Sequence, residues 1–221
     1  MKELIYISPS SQPTNTYAVG NTNEQEQCRK IAAALKAVLD RCQVPAAAGM
    51  DGTMYTRVKE SNQLDTCLHM PIHTNGFDGT VAGLRIMVSK LGGEAEQIAK
   101  AIMETLAPIT PGKSDGIHVM KNLYEINATK AVCVYVEVGF HDNPEEAQWI
   151  IDHTQDIAEA IAKALCKHYG YAYVDPNPKE EKTPIYRVQL GAFRNKAFAE
   201  NFRDELVKKG YGDAFIVEGV L

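Results

Sequence analysis

Apolar residues recur along the chain in two patterns, one typical of buried strands and the other of amphipathic helices. The apolar runs predict strands at residues 4–7, within 44–54, and at 67–75, 81–88, 117–119 and 132–136. Apolar residues three and four positions apart predict helices at 23–42, 57–64 and 93–106, and one or two helices over 144–169. Strands that alternate with helices of this length predict an α/β fold, an open and mostly parallel sheet with helices on both faces.

A proline- and charge-rich segment, residues 174–184, is predicted to be a linker that follows a main domain of residues 1–173. Residues 185–221 beyond it have a strand–helix–strand (βαβ) pattern, with strands at 185–190 and 214–217 and a helix at 196–209. This C-terminal appendage is too short to be a comfortable fold alone. It must belong to a larger module, pack on the main domain or pair with a partner, which makes an oligomer through the C-terminal piece possible.

Charge and hydropathy exclude some classes of partner. The 221 residues carry a net charge of −5 with no block of lysine or arginine, which argues against a nucleic-acid partner. No segment approaches the roughly 20 apolar residues of a membrane-spanning helix, so no membrane partner is expected. The N-terminus leads directly into the first predicted strand without a signal-peptide pattern. We therefore expect synthesis in the cytoplasm, with any action outside the cell depending on release at lysis or on non-standard export.

The five cysteines are scattered along the chain and form no CxxC pair. This pattern predicts buried free thiols in a reducing compartment, and neither a disulfide framework nor a cysteine zinc knuckle. None lies beside an obvious base, so a catalytic cysteine is not favoured.

Polar side chains follow three of the predicted strands at their carboxyl ends. Residues 8–12 follow the first strand, His73 lies near the end of the third, and Glu137 follows the strand at 132–136. Ligands of open α/β sheets collect at this edge, so the three strand ends suggest one shared metal site. The alternative is three ordinary core strands with polar turns, and spacing alone does not decide between them. His69 lies about 13 Å from His73 along an extended strand, too far to share one ion.

The residues at these strand ends carry a resemblance to a known family. Ile72-His73-Thr74-Asn75, the segment 136–143 with its sequence VEVGFHDN, and Glu24 at the start of the first helix resemble the zinc-dependent N-acetylmuramoyl-L-alanine amidases. The resemblance covers about residues 3–170 and implies hydrolysis of the amide between muramic acid and the L-alanine of the peptidoglycan stem peptide. It also implies that Glu24 and His73 bind zinc and that Glu137 is the catalytic glutamate. From local pattern alone, Glu24 is equally a carboxylate at a helix N-terminus.

The C-terminal appendage is similar to the first half of the SPOR peptidoglycan-binding module. The similarity lies in Tyr186-Arg187-Val188-Gln189-Leu190-Gly191-Ala192-Phe193, the helix that follows, and residues 210–217. It implies peptidoglycan as the partner of this piece, with Gln189 and Phe193 as candidate glycan contacts. Phe193 is equally a candidate core residue.

The first metal ligand departs from the family pattern. The family has a histidine in a Gly-His-Gly turn after the first strand, and by alignment Ser11 takes its place here. A serine hydroxyl is a poor zinc ligand. Gln12 could supply a carbonyl oxygen instead, or His69 or His141 could reach in, although His141 and residues 142–144 are typical of a turn and helix cap. The site is therefore a re-ligated zinc site, a weaker or different metal site, or one that no longer catalyses.

Two functions follow from these alternatives. The first is a zinc amidase that cuts peptidoglycan, with Glu137 as general base, stored in the cytosol as a phage or prophage endolysin and released by a holin. The second is a catalytically silent wall-binding protein with an amidase-like fold, because the usual first histidine is missing.

Overall fold

Six strands form one sheet in the computed structural model, which describes residues 4–177 and 188–219. The strands are β1 (Ile5–Pro9), β2 (Ala46–Ala48), β3 (Leu68–Asn75), β4 (Arg85–Val88), β5 (Gly116–Val119) and β6 (Val132–Phe140). Their order is β2-β1-β3-β6-β4-β5, and all neighbours pair in parallel except β4 and β6, which are antiparallel. The predicted open, mostly parallel α/β sheet is confirmed.

Helices cover both faces of this sheet, as predicted. They are α1 (Glu24–Arg41), α2 (Met54–Leu64), α3 (Glu94–Leu106), α4 (Tyr124–Ala128), α5 (Pro144–Asp152) and α6 (Thr154–Tyr169), with a 3₁₀ turn at Ala107–Ile109. Helices α1, α3 and α6 pack on one face and form the main hydrophobic core with the alternate strand residues there. No helix among the described residues is long and apolar enough to cross a membrane.

The opposite face of the sheet is smaller and more polar. Alternation along the strands turns Ile5 and Ile7 of β1 toward the main core and leaves Tyr6 and Ser8 on the other face. A small apolar cluster on that face contains Met87, Ile126, Cys133 and Tyr135. Buried polar side chains, among them His69 and His73, also lie on this face, which α2 and α4 border.

Two local predictions for this unit were wrong. Strand β6 does not stop at residue 136 but continues to Phe140, so Glu137 lies within the strand, paired in register with His73 of β3. Helix α4 falls between the predicted strands at 117–119 and 132–136, where no helix was predicted, because a five-residue helix is too short to show apolar periodicity. The cysteines are free thiols, four of them buried, as expected.

The chain divides into two compact units, Met1–Pro176 and Asn177–Leu221. In the described part of the second unit the regular element is helix α7 (Lys196–Lys208), on which Phe202 packs against Phe193 at a ring distance of 5.4 Å. Residues 214–217, predicted as a strand, have no strand partner among the described residues and are not a strand. A strand requires a hydrogen-bonded neighbour. Half of the other predicted strand, residues 185–187, lies outside the described residues, as does most of the predicted linker, and the described half, residues 188–190, is not a strand.

Candidate active site

A polar cavity of about 320 Å³ lies beyond the carboxyl ends of β1, β3 and β6. Its lining residues come from the β1–α1 loop, the start of α1, and the ends of β3 and β6. They are Gln12, Asn15, Glu24, His73, Thr74, Asn75, Gly76, Glu137 and His141. The predicted site residues Gln12, Glu24, His73 and Glu137 are thus brought to one cavity, at the edge where α/β sheets bind ligands. Ser11 is not among the lining residues.

The centre of the cavity is a contact between Glu24 and His73. Glu24 is the first residue of α1 and is 1% exposed; its Oε1 lies 2.8 Å from Nδ1 of His73. The other carboxylate oxygen accepts a hydrogen bond of 2.6 Å from the amide of Asn15. Burial alone would raise the pKa of Glu24, but the hydrogen bonds from His73 and Asn15 lower it overall. The carboxylate is therefore ionised and held against the imidazole.

Gln12 provides a third polar group beside the same nitrogen. Its Nε2 lies 3.3 Å from Nδ1 of His73, and its Oε1 accepts a hydrogen bond of 3.1 Å from Asn15. Nδ1 of His73 cannot both donate a hydrogen bond to Glu24 and accept one from the Gln12 amide. One of these two hydrogen bonds is therefore not made unless a further partner binds. A bound cation would resolve this conflict if the Gln12 amide turned its oxygen toward it.

The spacing of these donors fits a zinc ion in part. Donor atoms about 2.0–2.1 Å from a tetrahedral zinc lie about 3.3 Å apart, and Glu24 Oε1 lies 2.8 Å from Nδ1 of His73. The Gln12 atom 3.3 Å from Nδ1 is its amide nitrogen, which does not bind zinc, so Gln12 could serve only with its amide turned over. His73 and Glu24 are strong ligands, whereas the Gln12 amide is a weak one. Among residues 4–177 and 188–219, no three His, Cys, Asp or Glu side chains are grouped to hold a metal ion. The donor set thus accommodates zinc with two strong ligands in place of the usual three.

Glu137 adds a carboxylate with an unsatisfied oxygen. Its backbone pairs with His73 across β3 and β6, so both side chains point to the same face. Its Oε2 is buried and has no hydrogen-bond partner in the described structure. Burial raises the pKa of Glu137 to about 7, even though the nearby His73 lowers it. A carboxyl group with this pKa can both accept and return a proton near neutral pH.

The far side of the His73 ring faces Glu125 of α4, a residue that the sequence analysis missed. Glu125 Oε2 lies 3.5 Å from Nε2 of His73, and its Oε1 lies 3.3 Å from Nε2 of His69. Burial opposes both charges, but the contacts with Glu125 and Glu24 raise the pKa of His73 to about 9. The contacts with His69 and His73 lower the pKa of Glu125 to about 2 against its burial.

His141 lies in the turn that the sequence predicted and also lines the cavity, and Asn143 is the cap of α5. Nδ1 of His141 lies 3.0 Å from the carbonyl oxygen of Thr74, which can only accept, so Nδ1 carries the proton and Nε2 is left as an acceptor. The ring stacks on Tyr17 at 5.8 Å. A Cβ at position 76 would lie 2.9 Å from Nε2 of His141, so Gly76 gives this ring its room.

The fold and the site define the class: an open α/β protein with a carboxylate–imidazole cavity at the carboxyl edge of its sheet. A family model described as N-acetylmuramoyl-L-alanine amidase matches residues 5–167. The chain therefore belongs to the N-acetylmuramoyl-L-alanine amidase family, whose members are generally zinc-dependent. A SPOR domain model matches residues 153–219. That match begins next to α6, so only its part from residue 177 lies in the second unit. Both predicted resemblances are confirmed.

Solved structures of two amidases and of one endolysin catalytic domain share the fold. The catalytic domain of CwlV, an N-acetylmuramoyl-L-alanine amidase from Bacillus (Paenibacillus) polymyxa var. colistinus, superposes with a TM-score of 0.68 at 19% identity, covering 78% of this chain and all of that one. An N-acetylmuramoyl-L-alanine amidase from Clostridium difficile 630 superposes with a TM-score of 0.68 at 18% identity, covering 76% of this chain and 97% of that one. The catalytic domain of the CD27L endolysin, which targets Clostridia difficile, superposes with a TM-score of 0.65 at 18% identity, covering 75% of this chain and 97% of that one.

Sequence relatives among curated proteins have no described activity. An uncharacterized 38.4 kDa protein of Clostridium perfringens is 32% identical over 115 residues, or 50% of this chain. The uncharacterized protein CPE1502 of Clostridium perfringens (strain 13 / Type A) is 25% identical over 142 residues, or 62% of this chain. The matches span 33% and 42% of these relatives' lengths.

Proposed function

We propose that the chain hydrolyses the amide bond between N-acetylmuramic acid and the L-alanine of the peptidoglycan stem peptide, with zinc as its metal. The observation that carries this proposal is the buried, unpartnered Oε2 of Glu137 in the cavity that also holds the His73–Glu24 pair. An unpaired buried carboxylate is costly unless a ligand or a water uses it. The match to the amidase family over residues 5–167 supports the reaction class.

Glu24 and His73 would hold the metal, with the amide oxygen of Gln12 as a third, weaker ligand. Bound there, zinc would polarise the scissile carbonyl and acidify the attacking water. Glu137 accepts the proton of that water as its oxygen bonds to the carbonyl carbon, and it returns the proton to the alanine nitrogen as the C–N bond breaks. His141 presents Nε2 as an acceptor at the cavity wall, where it can bind an N–H group of the substrate.

The second unit would bind peptidoglycan and so hold the enzyme on its polymeric substrate. The SPOR match supports peptidoglycan as its partner, and Gln189 and Phe193 remain the predicted glycan contacts. An oligomer through this unit, the endolysin setting and the cytosolic store released by a holin remain predictions from the sequence.

The test is digestion of purified peptidoglycan by the full chain loaded with zinc. We expect new amino termini of L-alanine and no new reducing sugar ends. Glu137→Gln should lose hydrolysis by about 10²–10⁴-fold while still binding zinc. Loss of zinc from that variant would contradict the role assigned to Glu137.

A catalytically silent wall-binding protein is the second candidate. It is favoured by the donor set, which offers two strong zinc ligands where catalytic sites usually have three. Wall binding by the unaltered chain without stoichiometric zinc and without new L-alanine termini would select this candidate.

A further inference from the structure

A single buried carboxylate on the far side of His73 connects three side chains of the sheet. Glu125 of α4 is 2% exposed. Its Oε1 accepts a hydrogen bond of 2.5 Å from Ser8 of β1 and lies 3.3 Å from Nε2 of His69. Its Oε2 lies 3.5 Å from Nε2 of His73. A short helix outside the sheet thus places one anion between the ends of β1 and β3.

The His73 ring has little freedom between its neighbours. It stacks on Tyr135 with ring centroids 4.6 Å apart and planes 26° apart, and it is 6% exposed. Its two nitrogens face opposite groups, Nδ1 toward Glu24 and the cavity and Nε2 toward Glu125. At 3.5 Å the approach of Glu125 is an ion-pair distance, and Nε2 is buried without a hydrogen-bond partner in the described structure. Glu125 is therefore the carboxylate placed to take up a proton carried by Nε2.

Glu125 is itself held in place from behind. Ser8, which donates to it, accepts a hydrogen bond of 3.1 Å from Nε of Arg57. Arg57 is 1% exposed, so its charge compensates that of the carboxylate in a region that excludes water. The order Arg57, Ser8, Glu125, His73 runs from the buried end of α2 to the cavity.

We infer that Glu125 is the positioning residue of His73: it receives the Nε2 proton and so presents the Nδ1 lone pair to the cation. The inference rests on the proposed function, because it needs a metal on the cavity side of the ring. Histidine ligands commonly donate their other nitrogen to a carboxylate, and loss of that partner typically costs about 10–100-fold in metal affinity. Glu125 lies outside the cavity lining and takes no part in the proton transfer.

The test measures zinc affinity of the full chain by competition with a chromophoric chelator. We expect Glu125→Gln to weaken zinc binding about 10-fold and Glu125→Ala about 100-fold. Glu125→Gln keeps the size of the side chain and one acceptor oxygen. It therefore allows the zinc affinity to be measured if Glu125→Ala does not fold. The matched control is His69→Gln, which disturbs the other oxygen of the same carboxylate and leaves His73 its partner; it should change zinc affinity less than twofold. Thermal unfolding in chelator gives the stability of each variant.

A second readout follows the His73 ring directly. In the zinc-loaded chain, ¹⁵N chemical shifts should place the proton on Nε2 and the metal on Nδ1. A proton on Nδ1, unchanged affinity in folded Glu125→Gln, or an equal loss in His69→Gln would each overturn the inference. If the unaltered chain binds no zinc, the metal of the proposed function fails and the inference fails with it. A failure confined to the variants leaves the proposed function standing.

Discussion

The side-chain amide of Gln12 lies 3.3 Å from Nδ1 of His73, on the cavity side of the imidazole. The family resemblance places a histidine one position earlier, at Ser11, yet it is Gln12 that lines the cavity. The loop after β1 thus still brings a side chain to the proposed metal position beside His73, but it brings a neutral amide. The weakness of this ligand gives the first prediction.

Gln12→His should strengthen zinc binding about tenfold or more, because imidazole is a far better zinc ligand than an amide oxygen. Gln12→Ala should weaken it, since only Glu24 and His73 would remain. Chelator competition on both variants measures the change. If neither variant alters the affinity, Gln12 is not a ligand, and the third position belongs to another group or to water.

Glu24→Gln should reduce zinc affinity by more than about 100-fold, because it removes a charged ligand where loss of an outer partner alone costs about 10–100-fold. The matched control is Glu26→Gln, in the same first turn of α1 but exposed and bonded to Thr22. Both variants lose the same favourable charge at the helix N-terminus. Equal zinc affinities in the two variants would show that Glu24 acts only on the helix.

The apolar pattern was sufficient to predict the sheet and the cavity edge. Alternation and helix periodicity reflect burial, which dominates the energetics of long elements, so β1, β3 and α1 were placed correctly and β6 was found, although its predicted end was too early. The carboxyl ends of these strands then had to meet, which brought Glu24, His73 and Glu137 to one cavity.

Two site residues depended on tertiary contacts that no local pattern contains. Glu125 lies in a five-residue helix, and its role appears only when that helix packs over the sheet beside His69 and His73. His141 resembles the residues of an ordinary turn, and only the absence of a side chain at Gly76 lets it face the cavity. The C-terminal strand pattern at 214–217 gave no strand among the described residues, because alternation in one segment does not provide the hydrogen-bonded neighbour that a strand needs.

Glu146→Ala should destabilise the first unit by about 2–4 kcal/mol. Glu146 is 1% exposed and accepts backbone hydrogen bonds of 2.8–2.9 Å from Gly83 and Phe140, so its removal leaves two buried N–H groups unpaired. Urea unfolding measures the loss. Glu145→Ala, exposed and adjacent, should change the free energy of unfolding by less than about 0.5 kcal/mol. Comparable losses in the two variants would mean that the Glu146 carboxylate does not anchor the end of β6.

The last prediction concerns the pH dependence of the metal-free protein. The folded pKa of Glu137 is raised from 4.5 to about 7 and that of His73 from 6.5 to about 9. In both cases the folded state binds the proton more tightly, so each contribution to stability is complete below the unfolded pKa and is lost as pH rises through the folded one. Glu125 acts oppositely: its pKa falls from 4.5 to about 2, so its contribution is present above pH 4.5 and is lost toward pH 2.

In chelator, the free energy of unfolding should therefore fall from pH 4.5 to 7 through Glu137 and from pH 6.5 to 9 through His73. Glu137→Gln removes the first of these losses, since its amide does not titrate, and it reduces the second, because the charge of Glu137 helps to raise the pKa of His73. The difference in unfolding free energy between this variant and the unaltered chain should grow by about 1–3 kcal/mol from pH 4.5 to 7. Urea unfolding at half-unit pH steps gives both curves. A difference that is flat below pH 7 would mean that Glu137 is ionised in the folded chain as readily as in the unfolded one, which would remove the physical basis for its role as a base near neutral pH.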